Sequence, residues 1–257
     1  MQGARFEHVL LRRANLRRPF APDFAGRLVG ATVLDVERRA KHLLLPLSTG
    51  DTLLMHLGMT GEFRVTRPAN RSAEVFDTHD HVVFAMSSGA VVVFNDPRRF
   101  GAMDLLSPEE RARHATLSAL GPEPLSPAFD AAALAKACAG RRVSLKVALL
   151  DQRVVAGLGN IYVVEALHRA GVSPLRRAST LATPRGAPRP AAARLVAAIR
   201  AVLARAVERQ VSQSYRAARF RVYDREGERC PTRGCTGVIR RSVQAGRSTF
   251  RCPVCQR

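Results

Sequence analysis

The tightest constraint on how this chain folds lies in its last 28 residues, which hold four of its five cysteines as Cys230-x4-Cys235 and Cys252-x2-Cys255. Four thiolates delivered in two close pairs at the ends of a hairpin can complete a tetrahedral zinc site. With no open ligand position, such a site is structural rather than catalytic. Residues 236–251 (TGVIRRSVQAGRSTFR) supply the hairpin: VIRRSV, a Gln-Ala-Gly turn, then RSTFR. From Phe220 to Arg257 there are too few apolar residues for an independent core, so one Zn2+ on Cys230, Cys235, Cys252 and Cys255 is expected to stabilise this segment. The alternative, four free thiols, leaves it without a stabilising centre. The N-terminus, MQGARFEHVL, has no apolar signal core, so clustered cysteines point to metal rather than disulfides and the protein is expected in the cytoplasm. Cys138, alone in AAALAKACAG, reads as a small core-facing residue.

Charge narrows the partner. Lys plus Arg number 41 against 21 acids, a net charge of +20, and only Lys41, Lys136 and Lys146 are lysines. A preference for arginine codons explains the choice of arginine over lysine but not a twofold excess of bases over acids. Such a field attracts polyanions, and counterion release from phosphates supplies affinity that is independent of sequence. No basic amphipathic stretch and no bilayer-length apolar run favours a membrane.

The hydrophobic pattern changes along the chain. LLLPLSTGDTLLMHL and HVVFAMSSGAVVVF each read as two apolar strands around a turn, and strands whose apolar faces all need covering predict a β-sandwich. A helical stretch begins at Pro108, and the Pro-rich LGPEPLSP (120–127) marks a domain boundary. Helices are expected over 128–139, 143–151, 161–170 and 191–209. The expected organisation is therefore an α+β multidomain chain: residues 1–119 β-sandwich, 120–215 helical, 216–257 zinc-binding hairpin.

Three motifs have both a plain and a functional reading. In DQRVVAGLGNIY (151–162), a helix ends, a Gly-x-Gly turn comes next, and Asn160 is placed to cap the next helix. It is either an ordinary interhelical turn or a phosphate cradle at a helix N-terminus. In NDPRRFG (95–101), a rigid turn either buries Phe100 or displays Arg98 and Phe100 for insertion into a base stack. In HLGMTG (56–61), glycines put Met59 on an exposed turn, where a methionine or histidine more often serves packing.

Taken in order, RRAKHLLL, HLGMTGEFRV, DPRRFG, LGPEPLS, LLDQRVVAGLGNIYVVEALHRAG, FRVYDREGERC and GRSTFRCPVCQR resemble the formamidopyrimidine-DNA glycosylase/endonuclease VIII family, closest to its formamidopyrimidine branch. The resemblance implies a β-sandwich, a helix–two-turn–helix domain and a zinc finger. It implies a monomer acting on damaged double-stranded DNA at the bacterial nucleoid, without a nucleotide cofactor. It further implies glycosylase/AP lyase chemistry on oxidised purines with β,δ-elimination. Lys41 matches the lysine associated with β-elimination, and Arg247 the finger arginine associated with phosphate binding and δ-elimination. His56 and His79 match histidines near the DNA backbone. Met59, Arg98 and Phe100 match the side chains that fill the gap left by a flipped nucleotide, with Arg98 facing the orphaned base. Arg141 and Lys146 match basic positions entering the second domain, and Asn160 and Tyr162 the phosphate-gripping turn.

Two departures bear on activity. The family's nucleophile is the α-amine of a proline, with a glutamate after it, at the head of an N-terminal helix. Here GARFEHVLLRR, which resembles the stretch normally found after that helix, begins at residue 3. The family's Gly-rich loop over the flipped base also has no counterpart in VSQSYRAAR (211–219), which contains no glycine. Two expectations arise: an enzyme whose start lies upstream of Met1, or a catalytically silent relative that still grips damaged or abasic DNA.

Overall fold

Successive residues of the apolar runs face different partners, which is why these strands read as continuously hydrophobic. In the computed structural model, which describes residues 1–67, 76–212 and 219–257, Met1–Ser118 and Ala119–Arg257 are separate compact units. In the first unit, β1 (Phe6–Leu11), β6 (Asp80–Met86), β7 (Val91–Asn95) and β5 (Glu62–Thr66) pair in that order into an antiparallel sheet. A second sheet pairs β2 (Glu37–Arg39), β3 (His42–Pro46), β4 (Thr52–His56) and β8 (Ala102–Leu106). Val82, Phe84 and Met86 point into the core with Phe6, Leu45, Leu53, Met55 and Leu105. The intervening Val83 joins Val91 and Val93 on the outer face, under Phe76. Leu44, Leu54 and Leu106 are likewise buried on the outer face of the second sheet, under Leu117. Each fully buried side chain of this size contributes about 1.5–3 kcal/mol, and the arrangement is the predicted β-sandwich. Three short helices belong to this unit: α1 (Phe24–Leu28) between β1 and β2, and α2 (Pro108–Arg113) and α3 (Ala115–Ser118) after β8, with α2 opened by a capping box between Ser107 and Glu110.

The second unit is helical. Here α4 (Ala131–Cys138), α5 (Leu145–Leu150), α6 (Asn160–Ala170) and α7 (Pro190–Ser212) fall where helical periodicity predicts them, with ends shifted by a few residues. Phe129, Leu134, Leu149, Leu167, Leu195 and Ile199 lie in their shared core. Cys138 is part of that core, and burial pushes its thiol up to about 11. Between α5 and α6, Gln152 holds the turns in shape: its amide donates to the carbonyls of Leu150 and Leu158, and its oxygen accepts from Gly157 N. The cap of α6 is Gly159, not Asn160, which is the first helical residue and is bonded elsewhere.

The cysteine-rich segment carries the predicted hairpin, β9 (Arg240–Gln244) with β10 (Arg247–Arg251). Its few apolar residues, Val222, Ile239 and Phe250, form a small cluster with Val164 of α6, so the segment borrows its core from the helical layer. Among the described residues no helix is long and apolar enough to cross a membrane.

Candidate nucleic-acid interface

In the first unit, the turns after β4 and β7 pack together by their backbones. A Cβ on Gly58 would sit 2.5 Å from the carbonyl carbon of Phe100, so only glycine permits this approach. On the outside of the junction the structure brings together Met59, Arg98 and Phe100. The Arg98 guanidinium lies 4.5 Å over the Phe100 ring, and its Nη1 is 3.8 Å from Met59 Sδ. Met59 is 74% and Phe100 40% exposed, so neither is a core residue and the packing alternative fails for both. Beneath them Asp96 is fully buried, one carboxylate oxygen accepting from Thr60 Oγ1 (2.6 Å) and the other from Gly101 N (2.8 Å). Sequence reasoning singles out neither Thr60 nor Asp96, because a turn threonine and a post-strand aspartate are common.

Lys41 is exposed on the β2–β3 turn, where Ala40 takes a left-handed φ of 54°. The rings of His42 and His56 stand 5.0 Å apart, and His56 Nδ1 accepts from Gly58 N. Burial, then the charges of His42, Lys41 and Arg17, lower the His56 pKa. Its neutral ring thus offers Nε2–H as a donor. His79 is exposed, with its ring edge-on to His81.

In the second unit, Asn160 Nδ2 donates to the Ser248 carbonyl of the hairpin at 3.1 Å. Lys146 is fully buried rather than on the surface: its ammonium donates to the carbonyls of Arg247 (3.1 Å) and Ser248 (2.9 Å) and to Thr249 Oγ1 (2.8 Å). Burial, then the Arg247 charge, push its pKa down to about 8, whereas three acceptors match only the protonated form. Ser144 receives Gln244 Nε2 at 2.8 Å, completing a polar seam between hairpin and helices. Arg141 is engaged by Asp151 (2.9 Å) and by the Ala137 carbonyl (2.7 Å). Tyr162 packs on the helical core, and burial raises its pKa. Arg247 is exposed on the hairpin.

The sulfur atoms of Cys230, Cys235, Cys252 and Cys255 all lie within 4.8 Å of one another, so this cluster can hold a metal ion. Tetrahedral Zn–S bonds of about 2.3 Å require sulfurs about 3.8 Å apart. The Cys230–Cys255 and Cys235–Cys252 separations are 3.7 and 3.6 Å. A Cβ on Gly237 would come 2.5 Å from Cys252 Sγ, so the cradle is kept clear for the thiolate. Burial opposes ionisation of Cys230, but contacts from Thr232 and His168 bring its pKa down to about 6. His168, on α6, places Nε2 3.4 Å from Cys230 Sγ. One turn earlier, the buried Glu165 accepts backbone N–H bonds from Arg221 (2.8 Å), Val222 (2.8 Å) and Tyr223 (2.9 Å). Sequence reasoning missed both; the signal is two polar residues three apart on an otherwise apolar helix face. The predicted loss of the base-covering loop falls on VSQSYRAAR, of which residues 213–218 lie outside the described residues.

Comparison with known proteins finds the formamidopyrimidine-DNA glycosylase N-terminal domain over residues 1–103 and the formamidopyrimidine-DNA glycosylase H2TH domain over residues 120–217. The chain is 56% identical to formamidopyrimidine-DNA glycosylases of Rhodopseudomonas palustris and Bradyrhizobium sp., covering 100% of this chain and 94% of each relative. Among solved structures it is similar to a Lactococcus lactis formamidopyrimidine-DNA glycosylase complexed with abasic-site DNA (TM-score 0.86, 26% identity, 100% of this chain and 94% of that one). It is also similar to a MutM protein complexed with DNA containing carbocyclic 8-oxo-G (TM-score 0.85, 27% identity, with the same coverage).

Proposed function

Because the chain belongs to the formamidopyrimidine-DNA glycosylase family, we propose that it binds damaged duplex DNA, flips the damaged nucleotide, and acts on oxidised purines as a glycosylase/AP lyase. The observation that carries this reading is the exposed cluster of Met59, Arg98 and Phe100 on two interlocked turns. Flipping costs a few kcal/mol of unstacking, and side chains that fill the vacancy offset that cost. A thioether and an aromatic ring suit the space between base pairs, while the guanidinium can donate to the base left unpaired.

Phosphate binding falls to the other unit. Asn160 has a second amide N–H beyond the one given to Ser248, and exposed Arg247 lies on the same hairpin. Tyr162 and Arg141 shape this turn, and Lys146 supports it from inside. Lys41 supplies the amine associated with β-elimination, and His56 and His79 are donors toward the sugar–phosphate backbone. One structural Zn2+ on the four cysteines fixes the hairpin; when bound it would offset half the charge of the clustered thiolates. We assign the sandwich to residues 1–119, the helix–two-turn–helix domain to 120–215 and the finger to 216–257, with a monomer working in the cytoplasm on chromosomal DNA.

Binding without base removal is the second reading, since the wedge cluster and the hairpin grip DNA by contacts that need no nucleophile. Borohydride trapping on an 8-oxoguanine duplex separates the two readings. A covalently trapped adduct is expected of a glycosylase/AP lyase. Tight binding to the damaged duplex with no trapped adduct would overturn that reading and leave binding alone.

A further inference from the structure

We infer that the Thr60–Asp96 hydrogen bond is a latch that assembles the three wedge side chains before DNA arrives, making Thr60 and Asp96 positioning residues for recognition of the orphaned base. This latch presupposes the wedge role of Met59, Arg98 and Phe100. Met59 belongs to the turn after β4, while Arg98 and Phe100 belong to the turn after β7. The strands that flank them pair on both sides, His56 with Ala102 and Glu62 with Asn95, which leaves the tips of the turns to be held by their own contacts. Two of these join fixed groups. One is the backbone contact of Gly58 with Phe100, which has no directionality beyond shape. The other is directional: Thr60 Oγ1 donates to Asp96 Oδ1 at 2.6 Å across 36 residues of sequence.

Asp96 is itself immobilised. Its second oxygen accepts from Gly101 N, its own N–H donates to the His79 carbonyl, and its carbonyl accepts from Arg99 N (3.1 Å). His81 Nε2 lies 2.9 Å from the same carbonyl. The carboxylate is fully buried, so the oxygen facing Thr60 has no ready substitute for a lost donor. Thr60 Oγ1 also lies 3.4 Å from Arg98 N, which brings the hydroxyl directly against the residue that faces the orphaned base. A short O–H···O⁻ bond to a fixed acceptor therefore sets where the Arg98 backbone sits relative to Met59. With the guanidinium already stacked on Phe100, the wedge enters the duplex as one body and its ordering cost falls before binding.

Binding to duplexes with a tetrahydrofuran abasic site opposite cytosine or adenine tests this without requiring catalysis. Arg98→Ala reports on the wedge reading itself and should abolish the discrimination between opposite bases. Thr60→Val, which keeps shape and removes the donor, should reduce that discrimination about tenfold while leaving affinity for undamaged duplex unchanged; the melting temperature should fall, because a buried carboxylate oxygen loses its donor. Thr60→Ser should restore the discrimination. In an Arg98→Ala background, Thr60→Val should have no further effect on discrimination, as two residues acting through one interaction are non-additive. If Arg98→Ala leaves discrimination intact, the wedge reading fails. If Arg98→Ala abolishes discrimination but Thr60→Val does not touch it, or weakens every duplex equally, the latch is wrong. A Thr60→Val effect that persists at full size without Arg98 would also sink it.

Discussion

At the scale of single residues, basic side chains that look alike in the sequence have different tasks. Arg247 is exposed, whereas Lys146 is enclosed and holds the Arg247 and Ser248 carbonyls. Arg247→Ala is expected to weaken binding to every duplex about equally and to flatten the salt dependence by roughly one unit. Asn160→Ala should weaken all duplexes with little change of slope. Lys146→Met should weaken binding yet keep the slope, since no phosphate contact is lost; a slope reduced by one would return Lys146 to the DNA surface. The same lysine gives a pH signature. Its pKa is about 8 in the folded protein against 10.5 when unfolded, so between those values the unfolded chain binds more protons. Stability therefore gains with rising pH across roughly pH 8 to 10.5, by at most one proton's worth of slope, and Lys146→Met should erase that gain in denaturant titrations. What the sequence reveals at this scale is residue type and motif. It shows Asn160 beside a helix start but not that the side chain reaches Ser248, 88 positions away. Long-range partners of that kind are set by tertiary packing.

At the scale of elements, α6 holds the finger in place. Along its length it offers Asn160 to the hairpin, Val164 to the small apolar cluster, Glu165 to three consecutive amides, and His168 to Cys230. Glu165→Gln removes the charge and leaves a buried N–H facing an amide donor, a change expected to cost on the order of 2–3 kcal/mol. Hydrogen exchange at Arg221, Val222 and Tyr223 should accelerate well before exchange in α4 does. Uniform acceleration would mean that α6 does not anchor the finger locally. Cys252→Ser should lose the metal together with most DNA affinity, measured by elemental analysis and anisotropy; a metal-free variant binding DNA normally would remove the finger from the interface. Several elements were legible: continuous apolar runs around turns yield β3, β4, β6 and β7, apolar stretches between Pro- and Gly-rich connectors the four longer helices, and cysteine spacing the hairpin. The buried Glu165 and His168 were not, since polar residues on a helix ordinarily indicate its solvent face.

At the scale of the molecule, each unit has its own hydrophobic core, the sandwich in one and the helical layer in the other. A chelator should therefore lower the unfolding temperature of residues 119–257 and leave that of residues 1–118 in place, seen as two calorimetric transitions that separate on metal removal. A single transition shifting as a whole would contradict the independence of the cores. The two-part plan was visible from the change of periodicity near LGPEPLSP, while the attachment of the finger to the helical unit was not, because its contacts span long stretches of sequence. That span has a consequence for synthesis. Val222 comes 57 positions after Glu165 and Thr249 comes 103 after Lys146, so a ribosome working at about 5–20 residues per second releases the anchor seconds before the segment it receives. With the proposed ion on the four cysteines, the finger would not capture it first and dock afterwards. Its scaffold would be waiting when Cys230 emerges, and loading the ion would become the closing step of folding, at which a metal-starved cell would accumulate chains with both cores formed and the hairpin still open.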